Sequence, residues 1–173
     1  VGTDINLDHE DVEATFSNGR NFSNKIWNAG RFALLSLGDA PVRPLNEVVS
    51  DLALEDRWIL ARLGHATRAA TRNLERYRLH EVADGLYHFF WGEFCDWYLE
   101  LVKDRLTLDT DAKSREAARS TLVAVLDEAL RLLHPIVPFV TAELWSLLPW
   151  PEGSSRPEDL IIAPWPDSGS SRE

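Results

Sequence analysis

The chain has 173 residues, a net charge of −10, 45% hydrophobic residues and seven tryptophans. That length and apolar content define a folded domain with a real core and exclude a disordered chain. A single cysteine, Cys95, excludes an intrachain disulfide and a cysteine-based zinc site, and the acidic balance confines any nucleic-acid binding to a local basic patch, since phosphate contacts need Lys and Arg.

From Val12 to Leu37 the pattern predicts a helix, stopped by Gly38 and Pro41. Residues 39–53 read as a loop carrying Asp39, Pro41 and Pro44. A second helix is expected from Leu54 to Arg78, with Trp58, Ile59, Leu63, Ala66, Ala70 and Leu74 as its buried stripe. A third runs from about Glu81 to Leu106. It is apolar on several sides (Tyr87, Phe90, Trp91, Phe94, Trp97, Leu101), which predicts a place at the centre of a bundle. Asp109–Asp111 form a turn, and a fourth helix covers Ser114–His134. Pro135 ends it, and Pro138 opens a short fifth helix to Leu148. The expected architecture is an all-α bundle of about five helices over residues 1–149. Residues 150–173 form an irregular tail whose apolar patch Leu160–Ile162 folds back on the bundle. No apolar run reaches membrane-spanning length, and no signal-peptide pattern opens the chain. Methionine is absent even at position 1, so the chain is expected to be processed or cut from something longer.

The first helix raises a question of its own. Asparagine is a poor helix former, because its amide competes for nearby backbone groups. Yet Asn21, Asn24 and Asn28 fall within a stretch where Phe22, Ile26, Ala29, Ala33 and Leu37 recur at helical spacing. At about 100° per residue, the apolar set clusters on one side. Arg20, Asn21, Asn24, Lys25, Asn28 and Arg31 fill an arc of roughly 140° on the other, with Phe32 between Lys25 and Asn28. Two readings of Phe32 stay open on the residues alone. It packs under a neighbouring helix or loop, or it is a platform on which unpaired bases stack while Asn and Lys touch base edges or phosphate.

The second helix carries Arg68, Arg72 and Arg76 at i, i+4 and i+8, with Arg62 and Arg78 nearby. Six Arg stand against Asp56 and Glu75 between Asp56 and His80. This strip suits a phosphate backbone or, equally, a solvated face neutralised by acidic helices. Catalytic patterns are lacking: no Glu-x-x-His, no i,i+4 histidine pair, no phosphate loop and no nucleophile elbow. Cys95 lies in an apolar run, where an inert buried thiol is expected. Glu93, Asp96 and Glu100 read as a polar flank pairing with Arg.

RNFSNKIWNAGRF (20–32), DRWILARL (56–63), FFWGEFCDWYLELVKDRL (89–106), HPIVPFVTAELWSLLP (134–149) and APWP (163–166) stand in an order and spacing that resemble the anticodon-binding domain of valyl-tRNA synthetases. The resemblance spans Gly2 to Pro166. The string WGEFCDWYLE (91–100) resembles the valine family in particular, whereas His-Pro-x-x-Pro-Phe is shared more widely. The resemblance implies a helix bundle that grips the anticodon stem-loop of valine tRNA, with Asn21, Asn24, Lys25, Asn28, Arg31 and Phe32 as anticodon-contacting residues. Arg62, Arg68, Arg72 and Arg76 are candidates for its backbone. It also implies a longer, cytoplasmic, monomeric parent that uses ATP and Mg to join valine to tRNA, with catalytic, editing and coiled-coil domains. The His-Ile-Gly-His and Lys-Met-Ser-Lys-Ser signatures of the catalytic part are absent here, so this chain is expected to be non-catalytic, without a cofactor or metal of its own. Gly30 departs mildly from a good helix. Three alternatives stay open: the same domain from an isoleucine or leucine synthetase, a helical protein-interaction domain with no RNA role, and a stand-alone bundle enzyme.

Overall fold

The computed structural model describes residues 12–38, 40–107, 111–151 and 153–167, with side chains from position 17 onward except 18. The described residues form five helical rods and no strand. Helix α1 spans Val12–Leu37, α2 Leu54–Glu75, α3 Leu79–His88, α4 Leu99–Thr107, α5 Ala112–Leu133 and α6 Pro138–Leu147. A π-helical stretch, Phe89–Tyr98, joins α3 to α4 without a break, so these three segments make one rod.

The helix ends follow local chemistry. Gly38 takes φ +56° and donates its N–H to the Leu34 carbonyl at 3.3 Å, a left-handed stop that costs glycine nothing. The Asp56 carboxylate accepts the Ala53 N–H at 3.0 Å and caps α2. Asp111 does the same for Ser114 at the start of α5, also at 3.0 Å. Pro138 opens α6, where no intrahelical N–H is needed. The far end of α2 is less ordinary: Tyr77 holds φ +56° in the turn to α3 while its side chain is 90% exposed. Of the turn expected at Asp109–Asp111, positions 109 and 110 lie outside the described residues. The loop before α2 contains two short 3₁₀ turns, Leu45–Glu47 and Val49–Asp51, whose Val48 and Leu52 pack with Ala117 in a small satellite core.

The apolar stripe of α1 is buried as its spacing predicts: Phe22, Ile26, Ala29, Ala33 and Leu37 all belong to the main core. Phe22 lies 4.9 Å from the Tyr87 ring and 6.2 Å from Phe90. Trp58, expected inside, is half-buried. The centre of the bundle differs from the expectation. The aromatic rod leaves Trp97 63% and Leu101 52% exposed. No residue of α5 from Ala117 to Leu133 is exposed, and α5 touches α1, α2, α3, α4 and α6. The reason is size. Small and medium residues (Ala117, Ala118, Ala129, Val125, Leu126) let neighbours approach α5 closely on several sides. Gly30 serves the same end on α1. A Cβ there would lie 2.6 and 2.7 Å from the two methyl carbons of Leu144, so the missing side chain is what lets α1 settle on α6.

Polar groups clasp the rods together. The fully buried Asp56 accepts from the Tyr98 hydroxyl at 3.1 Å and from Arg105 Nη1 at 2.8 Å. Arg105 also pairs with Glu55 and bonds Ser114 through its hydroxyl and carbonyl oxygens. Asp127 accepts the Trp145 indole N–H at 2.6 Å and pairs with Arg131. Beyond α6, Leu160 is buried, and Trp150, Ala163 and Trp165 lie against the core. Trp165 Nε1 donates to Thr71 Oγ1 at 2.9 Å, and Arg131 reaches the Pro164 carbonyl at 3.2 Å.

Candidate nucleic-acid interface

Because the apolar stripe of α1 is committed to the core, its other arc must face outward. Asn21, Asn24, Asn28 and Arg31 are all exposed there. A neutral amide both donates and accepts, so this arc offers paired hydrogen-bonding groups in a row along one helix. Lys25 and Phe32 differ from these four. Phe32 is half-buried and packs against the main core, leaving only part of its ring to the polar arc. Packing under its neighbours, one of the two readings that its position on the wheel left open, is what the structure shows for most of the ring. Lys25 is half-buried as well. Its ammonium sits 2.9 Å from Asp96 Oδ1 and 4.9 Å from the centroid of the Trp91 ring. Neither Trp91 nor Asp96 stands out in the sequence as a partner of α1.

The α2 strip divides. Arg68, Arg72 and Arg76 are exposed at i, i+4 and i+8. Arg72 lies in the last turn of α2 and Arg76 caps it, where cations also favour the negative end of the helix dipole. Arg62 is different: its Nε and Nη2 clamp the two Glu93 oxygens at 2.8 and 2.5 Å. The hydrogen bonds to Glu93 push the pKa of the Arg62 guanidinium up, favouring its charged form. Its charge is thus largely answered inside the protein. A cleft of about 200 Å³ between α2 and α3 has this pair in its wall, with His65 and His88 on opposite helices. The acidic flank of the aromatic rod pairs only in part with arginine. Glu93 meets Arg62, but Asp96 meets Lys25 and Glu100 meets Lys103.

The reactive side chains near this surface are locked. Cys95 is buried, and burial pushes its thiol up to about 12, only partly offset by the charge of Lys25. Burial also raises the Tyr98 hydroxyl well above the ordinary range, with the Asp56 charge adding to it. Among the described residues no group of three His, Cys, Asp or Glu side chains is placed to hold a metal, and no helix is long and apolar enough to cross a membrane.

The described residues form an all-α bundle with an amide-rich arc on α1 and an arginine strip on α2, and comparison with known proteins gives it a family. The family model described as the anticodon-binding domain of tRNA ligase matches residues 56–173. The valine–tRNA ligase of Geobacter sulfurreducens is 44% identical over 172 residues, covering 99% of this chain and 18% of the relative. That of Prochlorococcus marinus is 43% identical over 97% of this chain and 19% of the relative. That of Dehalococcoides mccartyi is 45% identical over 95% and 18%. The chain belongs to the anticodon-binding domain family of tRNA ligases. It spans less than a fifth of the length of these relatives.

Proposed function

We propose that this chain is the anticodon-reading module of a valine–tRNA ligase and that its ligand is the anticodon stem-loop of valine tRNA. The observation that carries this is the likeness to valine–tRNA ligases over essentially the whole chain. In this reading the parent protein joins valine to tRNA with ATP and Mg in a separate catalytic domain, and this module supplies recognition. Valine codons begin GU, so the last two anticodon bases are A and C. Reading them needs splayed bases, a stacking surface and polar groups for their edges. The α1 arc supports this role: Asn21, Asn24, Asn28 and Arg31 are exposed, Lys25 is held at its edge, and Phe32 shows part of a ring. The exposed Arg68, Arg72 and Arg76 suit phosphates of the stem. Arg62, bound to Glu93, contributes less.

Fluorescence anisotropy with labelled stem-loop RNA tests the proposal. A loop carrying A and C at those positions is expected to bind about tenfold tighter than one with the two bases swapped, the scale of one well-placed base contact. Asn28→Ala and Arg31→Ala are expected to narrow that gap without unfolding the chain, because both side chains are exposed. Equal affinity for the two loops would refute the reading.

A further inference from the structure

We propose that Asp96 and Trp91 are positioning residues that turn Lys25 from a mobile surface charge into a directed anticodon contact, and that the π-helical stretch is what presents them together. The inference rests on the α1 arc being the anticodon site and deepens that reading. Trp91 and Asp96 are five residues apart. On an α-helix they would point roughly 140° from one another. In a π-helix, i→i+5 hydrogen bonds close each turn, so residues five apart stack along one side. Both lie in Phe89–Tyr98, and both touch the same ammonium, at 4.9 and 2.9 Å. The same spacing recurs with Glu93 and Tyr98, which hold Arg62 and Asp56 of α2. The stretch thus sends one pair of side chains to α1 and another to α2.

A free lysine carries a strongly hydrated charge on a flexible stem, so it attracts any phosphate and specifies little. Lys25 is held from two sides. Asp96 takes one of its three donors, the Trp91 ring holds the cation, and the remaining donors have a fixed origin. Part of the ordering cost of binding is met before the ligand arrives. The side chains of Lys25 and Asp96 are 31% and 48% exposed, so the pair is screened and the fold does not depend on it. That leaves placement as its effect.

The test separates placement from simple charge. The 173-residue chain is titrated with the cognate stem-loop and with the swapped-base loop, as wild type, Asp96→Ala, Asp96→Asn, Lys25→Ala and Lys25→Ala with Asp96→Ala, each checked for native helicity by circular dichroism. Removing a bystander carboxylate from an RNA-facing surface would strengthen binding of both loops alike. Removing a positioning carboxylate is expected to lower the cognate-to-swapped ratio by about threefold to fivefold, with Asp96→Asn, which keeps an acceptor and the same volume, losing less. In the Lys25→Ala background Asp96→Ala is expected to leave the ratio unchanged, since the residue it acts through is gone. An unchanged ratio in single Asp96→Ala, or losses that multiply in the double variant, overturns the proposal alone. A wild-type ratio of one overturns the anticodon reading and takes this proposal with it.

Discussion

Replacing Gly30 by alanine sets two forces against each other with opposite signs. Alanine in a helix interior is favoured over glycine by about 1 kcal/mol, so helix propensity alone forecasts a more stable protein. Packing forecasts the reverse. The new methyl would stand 2.6 and 2.7 Å from the terminal carbons of Leu144 and 3.1 Å from its Cγ. Real carbon contacts lie near 3.5–4.0 Å, so roughly 1 Å of relief is needed. Leu144 is 1% exposed in the core, so it cannot swing into solvent. Either its rotamer shifts into its neighbours or α6 moves off α1. Overpacking of this kind costs about 1–3 kcal/mol. Set against the propensity gain, the net expectation is a loss of up to about 2 kcal/mol, or a melting temperature lower by up to about 8 °C for a chain of this size. Thermal unfolding followed by circular dichroism measures it. Leu144→Ala provides the control: alone it opens a cavity, but beside Gly30→Ala it makes room for the methyl, so the double variant is expected to be more stable than the sum of the two losses. A rise in melting temperature for Gly30→Ala would refute the close-approach argument and leave propensity as the deciding force.

Two further outcomes follow from groups away from α1's outer face. Between pH 9 and 12 the unfolded Cys95 thiol loses a proton that the native state keeps, so stability should fall as pH rises. The slope is about 1.4 kcal/mol per pH unit for one group, and Tyr98 adds in the same direction. Urea midpoints between pH 8 and 11 show the slope, and a native thiol that reacts promptly with a disulfide reagent at pH 8 would contradict the burial on which it depends. Tyr77→Gly should raise stability by about 1 kcal/mol, because glycine removes the strain of φ +56° and a 90% exposed ring has little packing to lose; a lower unfolding midpoint would show that the ring is held by contacts beyond those seen here.

What could be read in the sequence was what depends on near neighbours. The α1 stripe, its stop at Gly38, the Pro138 start of α6 and the inert setting of Cys95 each follow from a few adjacent residues and one period. What stayed hidden depends on partners far along the chain or on a change of period. Phe89–Tyr98 is apolar on almost every side, so no stripe marks its passage from 3.6 residues per turn to the wider π-helix. Trp91 and Asp96 therefore show no link to α1, and Lys25 reads as a contact on the polar arc with no partner of its own in view. Gly30 read as a flaw because its reason, Leu144, is more than a hundred positions away. Phe32 fell in the polar arc by angle alone, yet its ring reaches back to the core. The centre of the bundle was assigned to the rings, since bulk resembles burial in a sequence, while the quieter Ala- and Leu-rich α5 holds the middle.

The clasp around Asp56 constrains how this domain can change over generations. Asp56 has no exposure, and Arg105 answers its charge while tying α4 to the start of α5. Replacing Arg105 alone strands Asp56 as an uncompensated buried charge, a loss of about 3–5 kcal/mol that a marginally stable domain tolerates poorly, whereas replacing Asp56 leaves Arg105 paired with Glu55. Exchanging both for well-fitted apolar residues could be neutral or better. The two sequences are thus both viable, and of the two steps between them the one that removes Arg105 first is the costly one. Lineages that lose Arg105 should therefore have lost Asp56 first, an ordered pair of changes, whereas Asn21, Asn24 and Asn28 on the open arc are free to vary one at a time as far as stability is concerned.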